Sequence, residues 1–260
     1  MINSLWIAKT GMSAQQTQLD VISHNLANVS TTGFKRNNAV FEDLIYQNQR
    51  QVGANTTEQN QLPTGLHLGL GVRTVATSRN FTQGTHQETK NNLDVAINGN
   101  GFFEVTMPDG TLGYTRDGSF QVDSQGRLVT SSGLPVANGI TIPQGATSVS
   151  ISTTGAVSAI VAGNTAPQQL GNLAMSNFIN PAGLEPVGQN LYKESAASGQ
   201  PQQGTPGANG LGYIRQGFLE ASNVNVVEEL VNMIQTQRAY EMNSKAIQTS
   251  DQMLAKLGQL

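Results

Sequence analysis

The chain contains no cysteine among its 260 residues. It therefore forms no disulfide and offers no thiolate to a metal ion or a catalytic step. Charged residues make up only 12% of the sequence and aromatic residues 5%. With 14 basic and 17 acidic residues, the formal net charge is -3, so there is no cationic excess to neutralise a phosphate backbone. We therefore expect no nucleic-acid partner.

Long apolar runs are also lacking. No stretch approaches the roughly 18 consecutive apolar residues that a membrane-spanning helix needs. The first 25 residues have no basic segment followed by a continuous apolar one, because Gln15, Gln16, Gln18 and Asp20 interrupt the stretch. We therefore expect no membrane insertion and no cleavable secretory signal.

Motifs for catalysis and metal binding are absent in the same way. His24, His67 and His86 share no ligand spacing, and no serine lies in a Gly-x-Ser-x-Gly motif. We therefore expect no catalytic, metal-binding or cofactor-binding residues, no cofactor and no enzymatic activity.

One enzymatic alternative stays open in the middle of the chain. Asp94, Glu104 and Asp123 lie in a β-rich region, where a pair of carboxylates could act on a glycosidic bond. The alternative function is a carbohydrate-binding or hydrolytic β protein that acts on the cell wall. It predicts that replacing one of these acids abolishes activity while assembly is retained.

The first thirty residues carry a heptad repeat. Leu5, Met12, Leu19 and Leu26 recur every seven positions, and Ile22 belongs to a second line offset by three. Such a pattern is typical of a helix that packs along another helix. We predict a helix over 3–28, ended by Asn28 and the turn-forming residues that follow it.

The last thirty-five residues carry a matching repeat. Asn225 can cap a helix, with Glu228 three residues later, and the stretch to Leu257 contains no Gly or Pro. We predict one long helix, which pairs with the first as a coiled coil. The heptad line consists of Val226, Met233, Tyr240, Ile247 and Leu254, with Leu230, Ile234 and Leu257 beside it.

Apolar residues remain after this pairing. Ile7, Val227, Val231 and Met253 find no place in the heptad lines of a two-helix pair. An elongated apolar face left over is typical of a surface that packs against another subunit. We therefore predict that contacts between copies cover it.

The middle of the chain has the character of a β protein. Turn dipeptides such as Asp109-Gly110, Asp117-Gly118 and Asn138-Gly139 recur between short apolar runs, which is typical of antiparallel hairpins. By contrast, residues 47–70 are polar, include Pro63 and Gly65, and are typical of a long linker. The predicted strands are 93–97, 102–107, 113–115, 120–122, 128–130, 140–142, 149–151, 156–161 and 213–220, with a loop over 194–212.

Together these patterns predict an α+β multidomain chain. A helical coiled-coil domain comprises 1–30 and 223–260, an extended linker or arm covers 31–71, and a β-rich outer domain covers 72–222.

The motifs at both ends resemble those of flagellar rod and hook proteins. The run from Ala8 to Lys35 contains Ser23-His24-Asn25-Leu26-Ala27-Asn28 and Thr32-Gly33-Phe34-Lys35, similar to the N-terminal motif of that family. Leu219 to Asn225 and Gln237 to Glu241 resemble its C-terminal motif. The resemblance also covers 93–97, 101–103, 114–116 and 118–120. The segment from Tyr46 to Arg73 is most similar to the distal-rod branch of the family.

This resemblance implies a structural subunit. It would self-assemble helically into a stiff tubular drive shaft, the distal rod, which transmits torque from motor to hook. The implied partners are further copies of the chain, proximal rod proteins, the hook protein, the surrounding P and L ring proteins and the type III export apparatus. The implied location is the flagellar basal body, from the periplasm to the outer membrane. A proximal rod or hook paralogue is the alternative within the family.

The resemblance and the heptads together single out two sets of residues. Asn28, Gly33 and Phe34 are expected to turn the chain away from the tube wall, and Pro63 and Gly65 to lie in an arm that stiffens the tube. The expected assembly interface consists of Leu5, Met12, Leu19, Ile22, Leu26, Val226, Leu230, Met233, Ile234, Tyr240, Ile247 and Leu254.

Overall fold

The computed structural model describes residues 2–52, 55–57, 60–61, 64–163 and 166–257. The chain forms two compact units. A helical unit comprises Met1–Ala27, Asn37–Ser78 and Asn225–Leu260, and a β unit comprises Asn28–Arg36 and Arg79–Val224. The predicted α+β class is therefore confirmed.

The helices are α1, Ile2–Ala27, and α2, Val226–Leu257, and a short 3₁₀ turn covers Pro181–Gly183. The strands in chain order are β1 Asn37–Asp43, β2 Tyr46–Arg50, β3 Asn55–Thr57, β4 Asn60–Gln61, β5 Leu66–Gly69, β6 Val72–Arg79, β7 His86–Glu88, β8 Val95–Asn98, β9 Phe102–Thr106, β10 Leu112–Thr115, β11 Gln121–Val122, β12 Leu128–Val129, β13 Ala146–Ile151, β14 Ala156–Val161, β15 Gln168–Asn172, β16 Met175–Asn177, β17 Glu185–Gly188, β18 Leu191–Lys193, β19 Gln202–Gly204, β20 Tyr213–Gln216 and β21 Phe218–Glu220.

The helical unit is built on an antiparallel pair of helices. Gly11 of α1 lies against Asn243 of α2, whereas Asn25, further along α1, bonds to Glu229 near the start of α2. A Cβ at Gly11 would lie 3.0 Å from the Asn243 amide nitrogen, so the glycine allows a close approach.

The start of α2 matches the predicted cap. The side-chain oxygen of Asn225 accepts a hydrogen bond from the Val227 amide at 3.1 Å. This bond satisfies one of the amides that a helix leaves without an intrahelical partner in its first turn. The prediction that Asn225 caps the helix is confirmed.

The stretch predicted as a long, extended linker contains paired strands. β2 pairs antiparallel with β5, with Tyr46 opposite Gly69, and β3 pairs with β4. Every residue of β2 is exposed, so no face of the ribbon is buried within the unit. An alternating apolar pattern arises only where one face is buried, which explains why the sequence pattern missed these strands. Pro63 lies outside the described residues.

The β unit is organised by an antiparallel sheet of six strands in the order β17-β18-β10-β9-β16-β19. A second sheet has the order β13-β14-β15, and β8 pairs with β20 and β7 with β21. One apolar core includes Val95, Phe103 and Ile214, and a smaller aromatic cluster includes Phe102 and Tyr114. The β unit is thus held together by strands that are far apart in the sequence, since β7 and β8 pair with β21 and β20.

Two of the predicted strands differ from the structure. The stretch 140–142 contributes only the isolated bridge between Arg127 and Thr141, although Ile140 is buried in the core. The stretch 213–220 is two strands, β20 and β21, because Gly217 has a φ of 77° and interrupts the ladder. The predicted loop over 194–212 also contains the short strand β19. A short apolar run in the sequence therefore indicates that a segment is buried, but it does not show whether that segment pairs with another strand.

Candidate assembly site

The predicted interface residues of α1 are partly covered. Ile22 is buried, with 1% exposure, while Leu5, Met12, Leu19 and Leu26 are half-buried. The antiparallel neighbour α2 therefore covers only part of this apolar line.

The predicted residues of α2 divide into two groups. Met233 and Ile247 are half-buried, and the other members of the heptad line, Val226, Tyr240 and Leu254, are exposed. Leu230 and Ile234, expected beside that line, are 42% and 50% exposed.

A continuous apolar stripe lies on the exposed side of α2. Val227, Leu230, Val231 and Ile234 are spaced by three, four and seven residues, so they share one face of the helix. Val227 is the most exposed of the four, at 70%. We call these four residues the outer face of α2. On α1, Trp6 and Ile7 are also exposed, at 52% and 41%.

Polar residues line the contact between the two helices. Asn25 is 1% exposed, and its amide nitrogen donates to the Asn37 carbonyl at 2.8 Å while its oxygen accepts from the Asn37 amide at 2.9 Å. Its nitrogen also lies 3.5 Å from a carboxylate oxygen of Glu229, which is buried, as is Thr236. Asn25 thus holds the start of β1 against α1. An apolar heptad pattern does not reveal these residues, because they are polar. Glu229 and Thr236 are nevertheless seven positions apart, and each follows a member of the apolar heptad line by three positions.

The turn residues after α1 belong to the β unit. Gly33 has a φ of 68°, and a Cβ there would lie 2.7 Å from the carbonyl carbon of Arg116. Its amide donates to the Glu220 carbonyl at 2.8 Å, and the next residue, Phe34, is buried. Both the left-handed backbone and the close approach require glycine at this position. Asn28 accepts a hydrogen bond from the Thr31 amide at 3.2 Å.

Gly65 of the predicted arm lies at a close crossing of two chain segments. A Cβ there would lie 2.7 Å from the carbonyl oxygen of Arg50, at the end of β2. Replacing this glycine would therefore push the two strands of the ribbon apart.

A buried charged cluster, Lys35, Arg116 and Glu220, lies where the chain enters and leaves the β unit. The Lys35 ammonium contacts one Glu220 oxygen at 2.5 Å, and Arg116 contacts the other at 3.3 Å. Lys35 also donates to the Thr82 carbonyl at 2.8 Å, and the Gly84 amide donates to Glu220 at 2.9 Å. The cluster joins the incoming segment, the outgoing strand β21 and the loop after β10.

Burial governs the acid–base behaviour of the two cations. Desolvation lowers the pKa of Lys35 below its usual value, although the neighbouring Glu220 carboxylate opposes the shift. Desolvation also lowers the pKa of Arg116, again opposed by Glu220. One carboxylate therefore does not fully compensate two buried cations. In the sequence, each of these three residues is the charged member of a short family motif whose other residues are uncharged, and that contrast is the signal that could have marked them.

The acids of the enzymatic alternative lie in separate local networks. The Asp94 carboxylate accepts a hydrogen bond from the side-chain amide of Asn91 at 3.0 Å, and the Asp123 carboxylate pairs with the Arg127 guanidinium at 2.9 Å. Glu104 accepts from the Ser176 hydroxyl and from the Gln203 amide. Among the residues that the structure describes, no three His, Cys, Asp or Glu side chains are grouped to hold a metal ion.

Three family models match the chain. The model "Flagella basal body rod protein" matches residues 5–35, and "Flagellar hook protein FlgE/F/G D1 domain" matches 96–159. The model "Flagellar basal body rod FlgEFG protein C-terminal" matches 215–260. These ranges cover most of α1, the strands β9 to β13 of the β unit and the whole of α2.

Relatives that match over their full length show which branch of the rod and hook proteins the chain is most similar to. The flagellar basal-body rod protein FlgG of Buchnera aphidicola subsp. Acyrthosiphon pisum is 58% identical over 260 residues, which is 100% of both chains. The chain belongs to the FlgG family of flagellar basal-body rod proteins. FlgG of Borreliella burgdorferi is 51% identical over 98% of this chain and 97% of its own length, and FlgG of Caulobacter vibrioides is 45% identical over 100% and 99%.

Membership of the FlgG family identifies the chain as a structural subunit of the flagellar distal rod, a component of the basal body. The resemblance inferred from the terminal motifs is thereby confirmed. The relatives are structural rod proteins rather than enzymes. In the part of the chain that the structure describes, no helix is long and apolar enough to cross a membrane.

Proposed function

We propose that this FlgG-family chain self-assembles helically into a stiff tube that transmits torque from motor to hook. The observation that carries the proposal is the outer face of α2, where four apolar side chains are between 42% and 70% exposed. Solvent exposure of a contiguous apolar stripe is unfavourable, so burial against a second copy would stabilise the assembled state. The proposed partner is therefore first of all another copy of the chain.

The helical pair supplies the second part of the proposal. Residues 1–30 and 223–260 act as one terminal domain, in which α1 and α2 pair as a coiled coil. Leu5, Met12, Leu19 and Leu26 are half-buried by the pair, so neighbouring copies can bury them further. The predicted heptad residues of both helices then lie partly within and partly between subunits.

The exposed part of the region from 31 to 71, which follows the buried residues Phe34 and Lys35, acts as an arm between neighbouring copies. Ile45 is 78% exposed and Tyr46 is 55% exposed, and both lie at the start of a ribbon that is exposed on both faces. A two-stranded ribbon alone is only marginally stable in water. Contact with adjacent subunits would order the arm and stiffen the tube. The domain 72–222 completes the subunit.

The position of a subunit in the distal rod implies partners other than further copies of the chain. We propose that the tube contacts proximal rod proteins at one end and the hook protein at the other, with the P and L ring proteins around it. We propose further that the type III export apparatus delivers the chain without a cleavable signal.

The replacement Ile234→Asp tests the proposal. A carboxylate in the outer face of α2 would have to be buried at a subunit contact, so we expect tube formation to be lost while the helix content of the free chain is unchanged. The measurement is electron microscopy of the purified full-length chain at high concentration, with circular dichroism of the dilute chain.

The matched control is Gln235→Asp, which introduces the same side chain at the adjacent exposed position, off the apolar stripe. It should assemble into straight tubes like the unmodified chain. Normal tubes from Ile234→Asp would refute the assigned role of this face. Curved tubes from the unmodified chain would favour a hook-like protein instead.

A further inference from the structure

The buried charged cluster leaves one positive charge without a counter-ion. The Lys35 and Arg116 side chains are 0% and 3% exposed, and both pair with the single carboxylate of Glu220. No second carboxylate of the described residues lies within ion-pair distance of either cation. A net charge held away from water is costly unless a further anion approaches it.

Arg116 also has unused hydrogen-bonding capacity. Its Nη1 donates to Glu220 at 3.3 Å, a single contact, while its Nε is buried without any hydrogen-bond partner. A guanidinium carries several N–H donors in a planar fork that fits a carboxylate with two parallel bonds. Glu220 cannot satisfy that fork, because Lys35 and the Gly84 amide occupy its other oxygen.

The same arginine lines a cleft of about 360 Å³ in the β unit. The amide side chains of Asn100 and Asn177 supply polar groups in its wall, and the rings of Phe81, Phe102 and Phe178 supply an apolar surface. The guanidinium carbon of Arg116 lies 5.3 Å from the centre of the Phe102 ring. The cleft therefore combines one positive charge, amide groups and an apolar wall.

We infer that this cleft binds a carboxylate group, which completes the charged cluster. A carboxylate carries the one negative charge that the cluster lacks, and its two oxygens match the guanidinium fork. The aromatic wall suits the methylene groups of an acidic side chain. The volume lies at the small end of ligand sites, roughly 300–1,000 Å³, so one side chain fills it better than a larger ligand.

The carboxylate comes from an Asp or Glu side chain of a second copy of the chain. This assignment of the source rests on the proposed self-assembly, whereas the site itself does not. The chain has 17 acidic against 14 basic residues, so neighbouring copies present carboxylates in excess. A buried ion pair at each such contact would help to fix the orientation of adjacent subunits.

The site is tested by titrating the dilute full-length chain with sodium acetate, against sodium chloride at equal ionic strength. We expect acetate to shift the NMR signals of the Arg116 Nε–H and of the Asn100 and Asn177 amides saturably, and to raise the unfolding midpoint. Chloride should do neither. A linear response, or an equal response to chloride, would overturn the site.

Two variants sharpen the titration. Arg116→Lys retains the charge but loses the planar fork, so we expect acetate affinity to fall at least about tenfold. Asn177→Asp places a carboxylate in the cleft wall, so acetate should no longer bind and the unfolding midpoint without acetate should rise. Lys193→Met removes an exposed cation elsewhere in the β unit and should leave acetate binding unchanged. Unchanged acetate binding in both cleft variants would contradict the assignment.

Assembly distinguishes the source of the carboxylate. If a neighbouring copy supplies it, acetate and Asn177→Asp should each slow tube formation severalfold. Tubes that form equally fast under both conditions would overturn the second copy as the source. Failure of the unmodified chain to form tubes would contradict the proposed self-assembly but leave the acetate titration as a separate result.

Discussion

Replacing Glu220 by Gln is expected to destabilise the β unit by about 3–5 kcal/mol, because it leaves Lys35 and Arg116 buried without an anion. Gln retains the shape and the acceptor oxygen of Glu, so packing is nearly unchanged and the loss is mainly electrostatic. Urea unfolding followed by near-ultraviolet circular dichroism would measure the change in the free energy of unfolding.

The pH dependence of this variant has a definite sign. Burial already lowers the pKa of Lys35, and removing the Glu220 charge lowers that pKa further in the folded state. The unfolded chain then binds more protons than the folded one, so stability rises with pH through this range. The deficit of Glu220→Gln should therefore shrink as the pH rises towards the ordinary lysine pKa of roughly 10.4 in the unfolded chain, because Lys35 of the folded variant releases its proton at a lower pH.

Two controls isolate the buried charge. Asp123→Asn removes a partly exposed pair with Arg127 in the same unit, and its unfolding midpoint should match that of the unmodified chain. Adding Lys35→Met to Glu220→Gln removes one of the unpaired cations and should recover part of the loss. Equal midpoints for Glu220→Gln and Asp123→Asn would show that the cluster contributes little.

Replacing Gly33 by Ala is expected to cost about 2–4 kcal/mol through backbone strain and a clash. The residue has a φ of 68°, and the added Cβ would lie 2.7 Å from the backbone of Arg116, which cannot move as a flexible side chain could. The measurement is again the free energy of unfolding of the β unit.

Gly133→Ala is the matched control, because Gly133 has a φ of 82° but no heavy atom within 4 Å of the added Cβ. It carries only the conformational cost of about 1–2 kcal/mol. The difference between the two variants therefore measures the contact between the incoming segment and the loop that contains Arg116. Equal losses of unfolding free energy in the two variants would mean that the backbone of Arg116 moves away from the added Cβ without a measurable cost.

The helix boundaries could be read from the sequence because their signals are local. The heptads of both ends and the cap at Asn225 predicted α1 and α2 to within two residues of their observed ends. The β structure of the middle of the chain could be predicted for a similar reason, because turn dipeptides and short apolar runs are signals that span only a few residues. The ribbon of β2 and β5 was not readable, because all of β2 is exposed and no pattern marks it.

The partners of the polar residues were decided by tertiary structure alone. Glu229 and Thr236 occur at helical spacing, but only the tertiary structure shows that both are buried and that Glu229 lies against Asn25 of α1. The sequence predicted a leftover apolar face with Val227 and Val231, but only the structure showed that Leu230 and Ile234 are exposed beside them.

The sequence by itself determined the family, the two terminal helices and the β class, because these depend on motifs and spacings within a few turns of chain. It did not determine the charged cluster, since Lys35 and Glu220 are 185 positions apart. Folding brings such residues together through the pairing of distant strands, and the charge of each is stable in the interior only once that pairing is complete.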